Sequence, residues 1–354
     1  MLNEKQIQEI REHLEKAQNP IFLFDNDVDG LCSFALLRRY CKKGKAFPAK
    51  TFPSVGMIEF GKVQEFDSDY IFILDKPLIS QEFFDEARKF NLPLVWIDHH
   101  EIPKDIPDFV SYYNPLLNGK NKTSTITEPT TFLCYQVSQR ESDLWIAVIG
   151  SVSDGFIPDF YSKFLEKYPD LGIKAKKAFD IRFNSQLGEI IRILSFALKD
   201  RVRNVVSMIK FLIGVKNPYE ILQENDENYF MHKRFKEIDS KYKILIEKAK
   251  NQLDSSKKLL FFKYSGNLSI SSDLANRVYY DFPGKYIIVA YDSGIKLNIS
   301  GRGKNVRDLI AKASERLKNS TSGGHRDAVG AKILSEDADK FKEKLEMLVG
   351  EEKQ

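Results

Sequence analysis

The sequence is poor in cysteine. Its 354 residues include only three, Cys32, Cys41 and Cys134, which are scattered and form no CxxC pair. A disulfide framework or a thiolate zinc site needs paired or closely spaced cysteines, so the sequence favours neither. We expect reduced thiols with mostly structural roles, as in cytoplasmic proteins.

Long apolar runs and a strong net charge are also missing. No apolar run reaches the ~18 residues that a membrane span needs, and residues 1–20 are typical of a charged amphipathic helix rather than a signal peptide. We therefore predict a cytoplasmic protein without a membrane partner. The formal charge of +4 permits a nucleic-acid partner but does not by itself indicate one.

The chain is too long for one ordinary core, and its pattern changes twice. Residues 1–155 alternate apolar runs with amphipathic stretches, which predicts β–α units and a mostly parallel sheet flanked by helices. Residues 156–255 show helical spacing, and residues 256–354 return to mixed strand and helix patterns. We predict an α/β fold with three parts: an N-terminal catalytic core, a helical insert ending in a linker helix, and a smaller C-terminal α/β domain.

Aspartates gather directly after the first apolar run. The stretch IFLFDNDVDG places Asp25, Asp27 and Asp29 at alternate positions after IFLF. The string resembles the start of an EF-hand loop, but the twelfth position is Leu36, where such a loop has glutamate. Three carboxylates this close repel one another unless a cation neutralises them, so the question is what they bind.

Three further segments repeat this arrangement. Asp75 follows YIFIL, the triplet Asp98, His99 and His100 follows LPLVWI, and Asp154 follows WIAVIGSVS. Open parallel sheets bind ligands beyond the carboxyl ends of their strands. One acid at a strand end is usually a helix cap or a turn former, but four such segments together indicate a metal site. Carboxylates mixed with imidazole suit Mn²⁺ or Mg²⁺ better than structural zinc.

Five motifs, in order along the chain, resemble those of the DHH phosphoesterase superfamily: DNDVDG, ILD at 73–75, DHH at 98–100, GSVSD at 150–154 and GGH at 323–325. The last motif, together with SGRG, resembles the C-terminal DHHA1 domain of that superfamily. The first motif is most similar to the RecJ branch, and the length and layout resemble archaeal RecJ-like single-strand exonucleases. The resemblance spans about residues 20–335.

The resemblance implies two Mn²⁺ ions, with Mg²⁺ as the alternative, held by six ligands: Asp25, Asp27, Asp29, Asp75, His99 and Asp154. Asp25 and Asp27 would hold one ion and Asp29 the other. Asp75 would bridge both ions, and the last two ligands would complete the second site. Two divalent ions would neutralise the crowded carboxylates and stabilise charge that develops on phosphate oxygens.

The resemblance also implies residues that contact the substrate. His100 would lie near the substrate phosphate. In the C-terminal motifs, His325 and Arg302 would contact phosphate, and Arg302 can do so with a forked pair of donors. Gly323 and Gly324 would let the backbone approach the phosphate closely.

Two residues beside the motifs have other expected roles. Asp98 is predicted to orient an imidazole, because ligating histidines are generally held by a second group. Lys76 follows the second-motif aspartate directly, where a small or glycine-containing turn is usual in RecJ-like proteins. Its ammonium could compete with a metal ion or could help to bind phosphate, and the sequence leaves both alternatives open.

The resemblance favours a Mn²⁺-dependent exonuclease that hydrolyses single-stranded DNA or RNA to mononucleotides by two-metal catalysis. One alternative is a phosphodiesterase for nanoRNA or dinucleotides. Another is a scaffold in a replisome or repair complex with minor nuclease activity, although the full ligand set argues for an enzyme. A replication or repair protein such as GINS or a helicase is an expected partner, with the charged helical insert as the docking surface.

Overall fold

A computed structural model describes residues 1–51, 54–119 and 127–351. The chain forms two compact units, Met1–Lys236 and Glu237–Gln354. The first unit contains a parallel sheet flanked by helices and a helical middle region, and the second contains a mixed sheet with helices. The predicted α/β fold class is therefore confirmed.

The elements are numbered in chain order. The strands are β1 (Pro20–Asp25), β2 (Lys45–Ala49), β3 (Ser54–Val55), β4 (Tyr70–Leu74), β5 (Leu78–Ile79), β6 (Leu94–Ile97), β7 (Val110–Tyr113), β8 (Leu259–Ser265), β9 (Tyr286–Asp292), β10 (Lys296–Arg302), β11 (Thr321–His325) and β12 (Ala328–Leu334). The α-helices are α1 (Glu4–Lys16), α2 (Val28–Cys41), α3 (Met57–Glu65), α4 (Gln81–Lys89), α5 (Thr130–Ser138), α6 (Leu144–Ser153), α7 (Tyr161–Lys167), α8 (Ala178–Asn184), α9 (Gln186–Ala197), α10 (Val202–Gly214), α11 (Tyr219–Leu222), α12 (Tyr229–Asn251), α13 (Ser271–Asp281), α14 (Val306–Ser314) and α15 (Ala338–Glu351). Short 3₁₀ helices span Pro115–Leu117, Glu141–Asp143 and Ser335–Asp337.

The sheet of the first unit has the strand order β2-β1-β4-β6-β7, and all of its strand pairs are parallel. The order of the strands reverses at β1, which has β2 on one side and β4 on the other. In open parallel sheets, ligands bind at this reversal, beyond the carboxyl ends of the strands. Strand β1 ends at Asp25, and β4 ends directly before Asp75. The fold thus brings the first two motifs to the same edge.

Strand β1 is apolar on both faces because helices cover both sides of the sheet. Phe22 and Phe24 contact Phe34 of α2, with ring centroids 5.5 and 5.3 Å apart. Ile21 and Leu23 point the other way, into a core that includes side chains of α3 and α4. The register of the strand is therefore fixed, and the aspartates begin where the buried run ends.

Helices make up the middle of the chain, from α7 to α12. Met231, Phe235, Ile238 and Tyr242 of α12 are buried. Their spacing of four, three and four residues puts them on one face, as the pattern predicts. Among the described residues, none of the helices combines the length and the apolarity that a membrane crossing demands.

The second unit is built on the strand order β11-β12-β10-β9-β8. Strands β8 and β9 are parallel, joined through α13, and the other pairs are antiparallel. Ile288, Ile299 and Val329 of the sheet pack with Ile310 of α14 and Phe341 of α15 in one buried cluster. This core includes β10, which carries the SGRG motif, and β12, which pairs with β11 and its GGH motif.

Candidate metal centre

The DNDVDG motif turns the chain from β1 into α2. The Asp27 carboxylate caps α2 by accepting a hydrogen bond from the Gly30 amide at 2.9 Å. Asp29 lies in the first turn of the helix and is buried. A Cβ atom at Gly30 would lie 2.4 Å from the Asp25 carbonyl oxygen. The glycine thus permits the close approach of strand and helix that brings the three carboxylates together.

The start of α5 holds Asp29 in place. The Thr131 and Thr130 amides donate to the Asp29 carboxylate at 2.8 and 3.0 Å, and the Thr131 hydroxyl donates to the Asp29 carbonyl oxygen at 2.9 Å. The first amides of a helix lack partners within the helix and favour an anion. Sequence reasoning missed these two threonines. They lie about a hundred residues from Asp29, and no motif marks them.

Among the described residues, three groups of possible ligand atoms contain Asp75: the two defined next, and a third with Asp98 and His100. The ligand atoms of Asp29, Asp75 and His99 lie within 4.8 Å of one another, and we call this group the inner cluster. Those of Asp25, Asp27 and Asp75 also lie within 4.8 Å of one another, and we call this group the outer cluster. The Thr130 hydroxyl donates to Asp75 Oδ1 at 3.1 Å, which fixes the shared carboxylate.

Asp154 lies beside the inner cluster, close to His99. The imidazole Nε2 atom lies 3.3 Å from Asp75 Oδ1, 3.7 Å from Asp154 Oδ2 and 4.0 Å from Asp29 Oδ2. The other ring nitrogen, Nδ1, lies 3.1 Å from the Thr127 hydroxyl oxygen. Asp154 follows a helix, α6, because the run WIAVIGSVS is helical. Five of the six ligands predicted from the sequence therefore lie in these two clusters, and the sixth, Asp154, lies beside the inner cluster.

The crowded carboxylates are costly without a cation. Burial and the charges of Asp25 and Asp29 raise the pKa of Asp27 to about 8, even though Asp27 lies at the exposed rim of the cluster. Burial and the Asp154 charge raise the pKa of Asp29, and burial with the Asp29 and Asp27 charges raises the pKa of Asp75 well above its usual range. A divalent cation would remove this repulsion, so the residues present fit bound Mn²⁺ or Mg²⁺.

Asp98 orients His100. Asp98 is fully buried, and its carboxylate lies 2.7 Å from His100 Nδ1 and accepts from the His100 amide at 3.2 Å. Burial alone would lower the pKa of His100, but the Asp98 carboxylate raises it to about 9. The Asp98 carboxylate thus favours the charged form of the imidazole, which lies beside the clusters. The imidazole that Asp98 orients is that of His100.

Lys76 contacts a predicted ligand. Its side chain is 1% exposed, and its ammonium donates to Asp25 Oδ1 and to the Thr51 carbonyl oxygen, both at 2.8 Å. The sequence left open whether this lysine competes with a metal ion or binds phosphate. Because Asp25 belongs to the outer cluster, the positive charge of Lys76 lies beside that cluster.

Arg302 lies in the second unit, at the end of β10. Its guanidinium donates to Asn276 Oδ1 at 2.6 Å, to the Gly301 carbonyl oxygen at 2.7 Å and to the Ser272 hydroxyl at 3.0 Å. A Cβ atom at Gly301 would lie 2.5 Å from Ile310 Cδ1, so a larger residue there would force this buried side chain to shift. The SGRG motif is therefore an ordered strand end that fixes the direction of one arginine.

The GGH motif forms strand β11 of the same sheet. Gly323 pairs with Gly330 of β12, and His325 ends the strand opposite Ala328. Gly324 has φ +134°, and a Cβ atom there would lie 2.7 Å from the Ala328 carbonyl oxygen. The backbone conformation and the close approach both require glycine at this position. Ala328 of β12 also pairs, on its other side, with Arg302 of β10. Arg302 and His325 therefore lie at the same end of the sheet.

Comparisons with known proteins agree with this geometry. The chain matches the DHH family N-terminal domain over residues 21–147 and the DHHA1 domain over residues 256–351. A search of curated proteins finds no match.

Solved structures with a similar fold include RecJ in complex with Mn²⁺ from Thermus thermophilus. It has a TM-score of 0.71 and 16% identity, and the alignment covers 98% of this chain but 54% of that one, so this chain spans about half the length of that RecJ. Exonuclease RecJ bound to manganese has a TM-score of 0.67 and 16% identity, covering 98% of this chain and 94% of that chain. CDC45 from Entamoeba histolytica has a TM-score of 0.54 and 10% identity, covering 99% of each.

Proposed function

The chain carries a DHH family N-terminal domain and a DHHA1 domain, and from this premise we propose that it is a metal-dependent phosphodiesterase, a RecJ-like exonuclease of single-stranded DNA or RNA. The observation that carries the proposal is the Asp75 carboxylate shared by the inner and outer clusters. Asp75 would be a ligand of both clusters, and two divalent ions held there would support in-line displacement at phosphorus. The fold similarity to RecJ structures that contain Mn²⁺ supports the choice of metal and of substrate class.

When bound, the two ions would lower the pKa of the attacking water and stabilise negative charge on the phosphate oxygens. The inner cluster with Asp154 would hold one ion, and the outer cluster would hold the other. The threonine amides of α5 hold the Asp29 carboxylate, so this ligand is placed before a metal binds. His100, held through Nδ1 by Asp98, would donate from Nε2 to a phosphate oxygen.

The second unit would supply contacts to the phosphate backbone through Arg302, His325 and the backbone of Gly323 and Gly324. Asn276 and Ser272 already hold the Arg302 guanidinium. An ordered arginine loses less conformational freedom when it binds a phosphate than an extended, mobile one. This preorganisation supports a role in substrate binding.

Replacing Arg302 by alanine is expected to weaken single-strand binding about ten- to a hundredfold, because a charged hydrogen bond contributes roughly 1.5–3 kcal/mol. The salt dependence of binding should also become shallower, because one fewer counterion is released. Fluorescence anisotropy with a labelled strand at several salt concentrations measures both effects. Arg316→Ala removes the same charge from an exposed position of the same unit and should bind like the parent. Equal affinity of Arg302→Ala and the parent at every salt concentration would show that Arg302 contacts no phosphate.

The proposed activity is tested with Mn²⁺ and single strands of DNA and RNA, long and short, labelled at either end. We expect mononucleotides from long strands, and no products in excess EDTA. An exonuclease releases a label first from the end at which it begins, so strands labelled at the 5′ or the 3′ end give the polarity of cleavage. Hydrolysis of dinucleotides with long strands left intact would instead identify the nanoRNA or dinucleotide phosphodiesterase. If no substrate is cut in Mn²⁺ or Mg²⁺, the scaffold interpretation replaces the enzyme.

A replication or repair protein such as GINS or a helicase is the proposed partner. The fold similarity to CDC45 supports it. Gel filtration of the chain mixed with each purified candidate tests the proposal, and the proposed partner should co-elute at micromolar concentration. Separate elution of every candidate would count against it.

A further inference from the structure

Lys76 is a buried cation beside the candidate metal centre. Lysine is almost never fully buried unless it is paired, because an isolated ammonium loses its hydration. Here the lysine side chain is 1% exposed, and its ammonium is compensated by the Asp25 carboxylate and the Thr51 carbonyl oxygen at 2.8 Å each. The structure thus provides a built site for this one positive charge.

The backbone of Lys76 is fixed on both sides. Asp75 has φ +61°, a left-handed conformation that is uncommon outside glycine and asparagine. The Lys76 carbonyl oxygen accepts a hydrogen bond from Nε1 of the buried Trp96 at 2.8 Å. The direction of the lysine side chain therefore follows from the turn after β4.

The acceptor opposite Asp25 is fixed as well. The Thr51 hydroxyl donates to Glu59 Oε1 at 2.8 Å, and the second oxygen of the buried Glu59 accepts from the Gly56 amide at 3.0 Å. The side chain of Thr51 is therefore anchored through Glu59, independently of Lys76. Lysine, threonine and aspartate form one ordered group.

The Lys76 ammonium contacts a carboxylate of the outer cluster. In the outer cluster, one oxygen of Asp25 already binds the ammonium. Within the described part of the chain, the ion pairs of Asp29, Asp75 and Asp154 in and beside the inner cluster involve His99, not lysine or arginine. The Lys76 charge therefore offsets part of the negative charge of the outer cluster, whereas His99 is itself a candidate ligand of the inner cluster.

We propose that Lys76 acts as a resident monovalent cation that weakens divalent-metal binding at the outer cluster, so that the chain binds one ion tightly and a second weakly. The inference rests on the proposed function, because it concerns the metal centre of the same site. Of the two roles that the sequence left open for this lysine, the inference favours competition with a metal ion over phosphate binding. The tight ion binds at the inner cluster, and the weak ion binds at the outer cluster.

The first test is a calorimetric titration of the parent with Mn²⁺ alone. Two ions should bind, the second at least about tenfold more weakly than the first, since groups that contact metal ligands change metal affinity by about ten- to a hundredfold. Two ions of equal affinity would overturn the inference. A parent that binds no Mn²⁺ at all would overturn the proposed function itself, so the two failures are distinguishable.

The second test uses Lys76→Gln, whose amide can still donate to the Thr51 carbonyl oxygen but carries no charge. The weaker Mn²⁺ site should gain about ten- to a hundredfold in affinity, while the tight site changes little. Lys50→Gln removes a charge from an exposed lysine next to Thr51 and should titrate like the parent. An unchanged weak site in a folded Lys76→Gln variant contradicts the inference. If that variant does not fold, the titration of the parent decides.

Discussion

Asp75→Asn is expected to reduce the turnover of single strands by about a thousandfold. Asp75 is the residue common to the inner and outer clusters, so its charge would act on both ions. Metal ions contribute several kcal/mol of charge stabilisation in a transition state, and a loss of about 4 kcal/mol corresponds to roughly a thousandfold in rate. Single-turnover rates at saturating Mn²⁺ measure the effect.

Asparagine is a better test here than alanine. Asp75 has φ +61°, which asparagine tolerates and alanine does not. The amide oxygen of asparagine can still accept the hydrogen bond from the Thr130 hydroxyl. The variant therefore changes the charge and leaves the local contacts in place. The control is His100→Ala, which would remove the proposed phosphate contact but none of the six predicted ligands, and should cost about ten- to a hundredfold.

The stability of Asp75→Asn should change in the opposite sense to its activity. In EDTA, the substitution removes one buried carboxylate from a crowded group, so the melting temperature should be equal to or higher than that of the parent. Mn²⁺ should then raise the melting temperature of the variant less than that of the parent, because a weaker ligand stabilises the folded state less. An Asp75→Asn variant with parental turnover would rule out the shared carboxylate as a ligand.

The sequence predicts much of this site because the strands order it. Apolar runs that end in aspartate predict parallel strands, and in such a sheet the carboxyl ends of neighbouring strands lie together. Strands β1 and β4 are neighbours, as are β4 and β6. Asp25, Asp75 and His99 could therefore be placed at one edge without knowledge of the fold, and the structure brings them there.

Other features of the site are not visible in the sequence. The contacts of Thr130 and Thr131 with Asp29 depend on how α5 packs against α2, and a TT pair carries no signal of its own. Gly150 of the GSVSD motif is a related case. A Cβ atom there would lie 2.1 Å from the Thr131 hydroxyl oxygen. The motif requires glycine because α6 approaches the helix that holds a ligand, a reason that only the packing reveals.

The role of Lys76 illustrates the same limit. The sequence shows a lysine next to a predicted ligand, but whether its ammonium turns to solvent, to phosphate or to a carboxylate depends on contacts distant in sequence. Thr51 lies 25 residues before it and supplies the second acceptor. Trp96 lies 20 residues after it and fixes its backbone. Neither residue belongs to a motif.

Gly30→Ala is expected to lower turnover by about a hundredfold and the free energy of unfolding by about 1–3 kcal/mol. The added Cβ atom would lie 2.4 Å from the Asp25 carbonyl oxygen and 2.8 Å from the Asp25 nitrogen. That backbone cannot move freely, because Asp25 pairs with Ala49 in the sheet and its carbonyl oxygen accepts from the Asp27 amide. Helix α2 must therefore shift away from β1, and Asp27 and Asp29 shift with it.

Gly61→Ala is the matched control for this prediction. Gly61 is also helical, in α3, but it is exposed, and a Cβ atom there would meet nothing within 4 Å. Alanine in an open helical position should leave stability unchanged or raise it by up to about 1 kcal/mol. Thermal melts and Mn²⁺-dependent turnover of both variants separate the two causes. If Gly30→Ala melts and turns over like Gly61→Ala, the close approach of α2 to β1 does not set the spacing of the ligands. If both measurements fall for Gly30→Ala alone, the same glycine that closes the core also positions three of the carboxylates, and stability and catalysis depend on one contact.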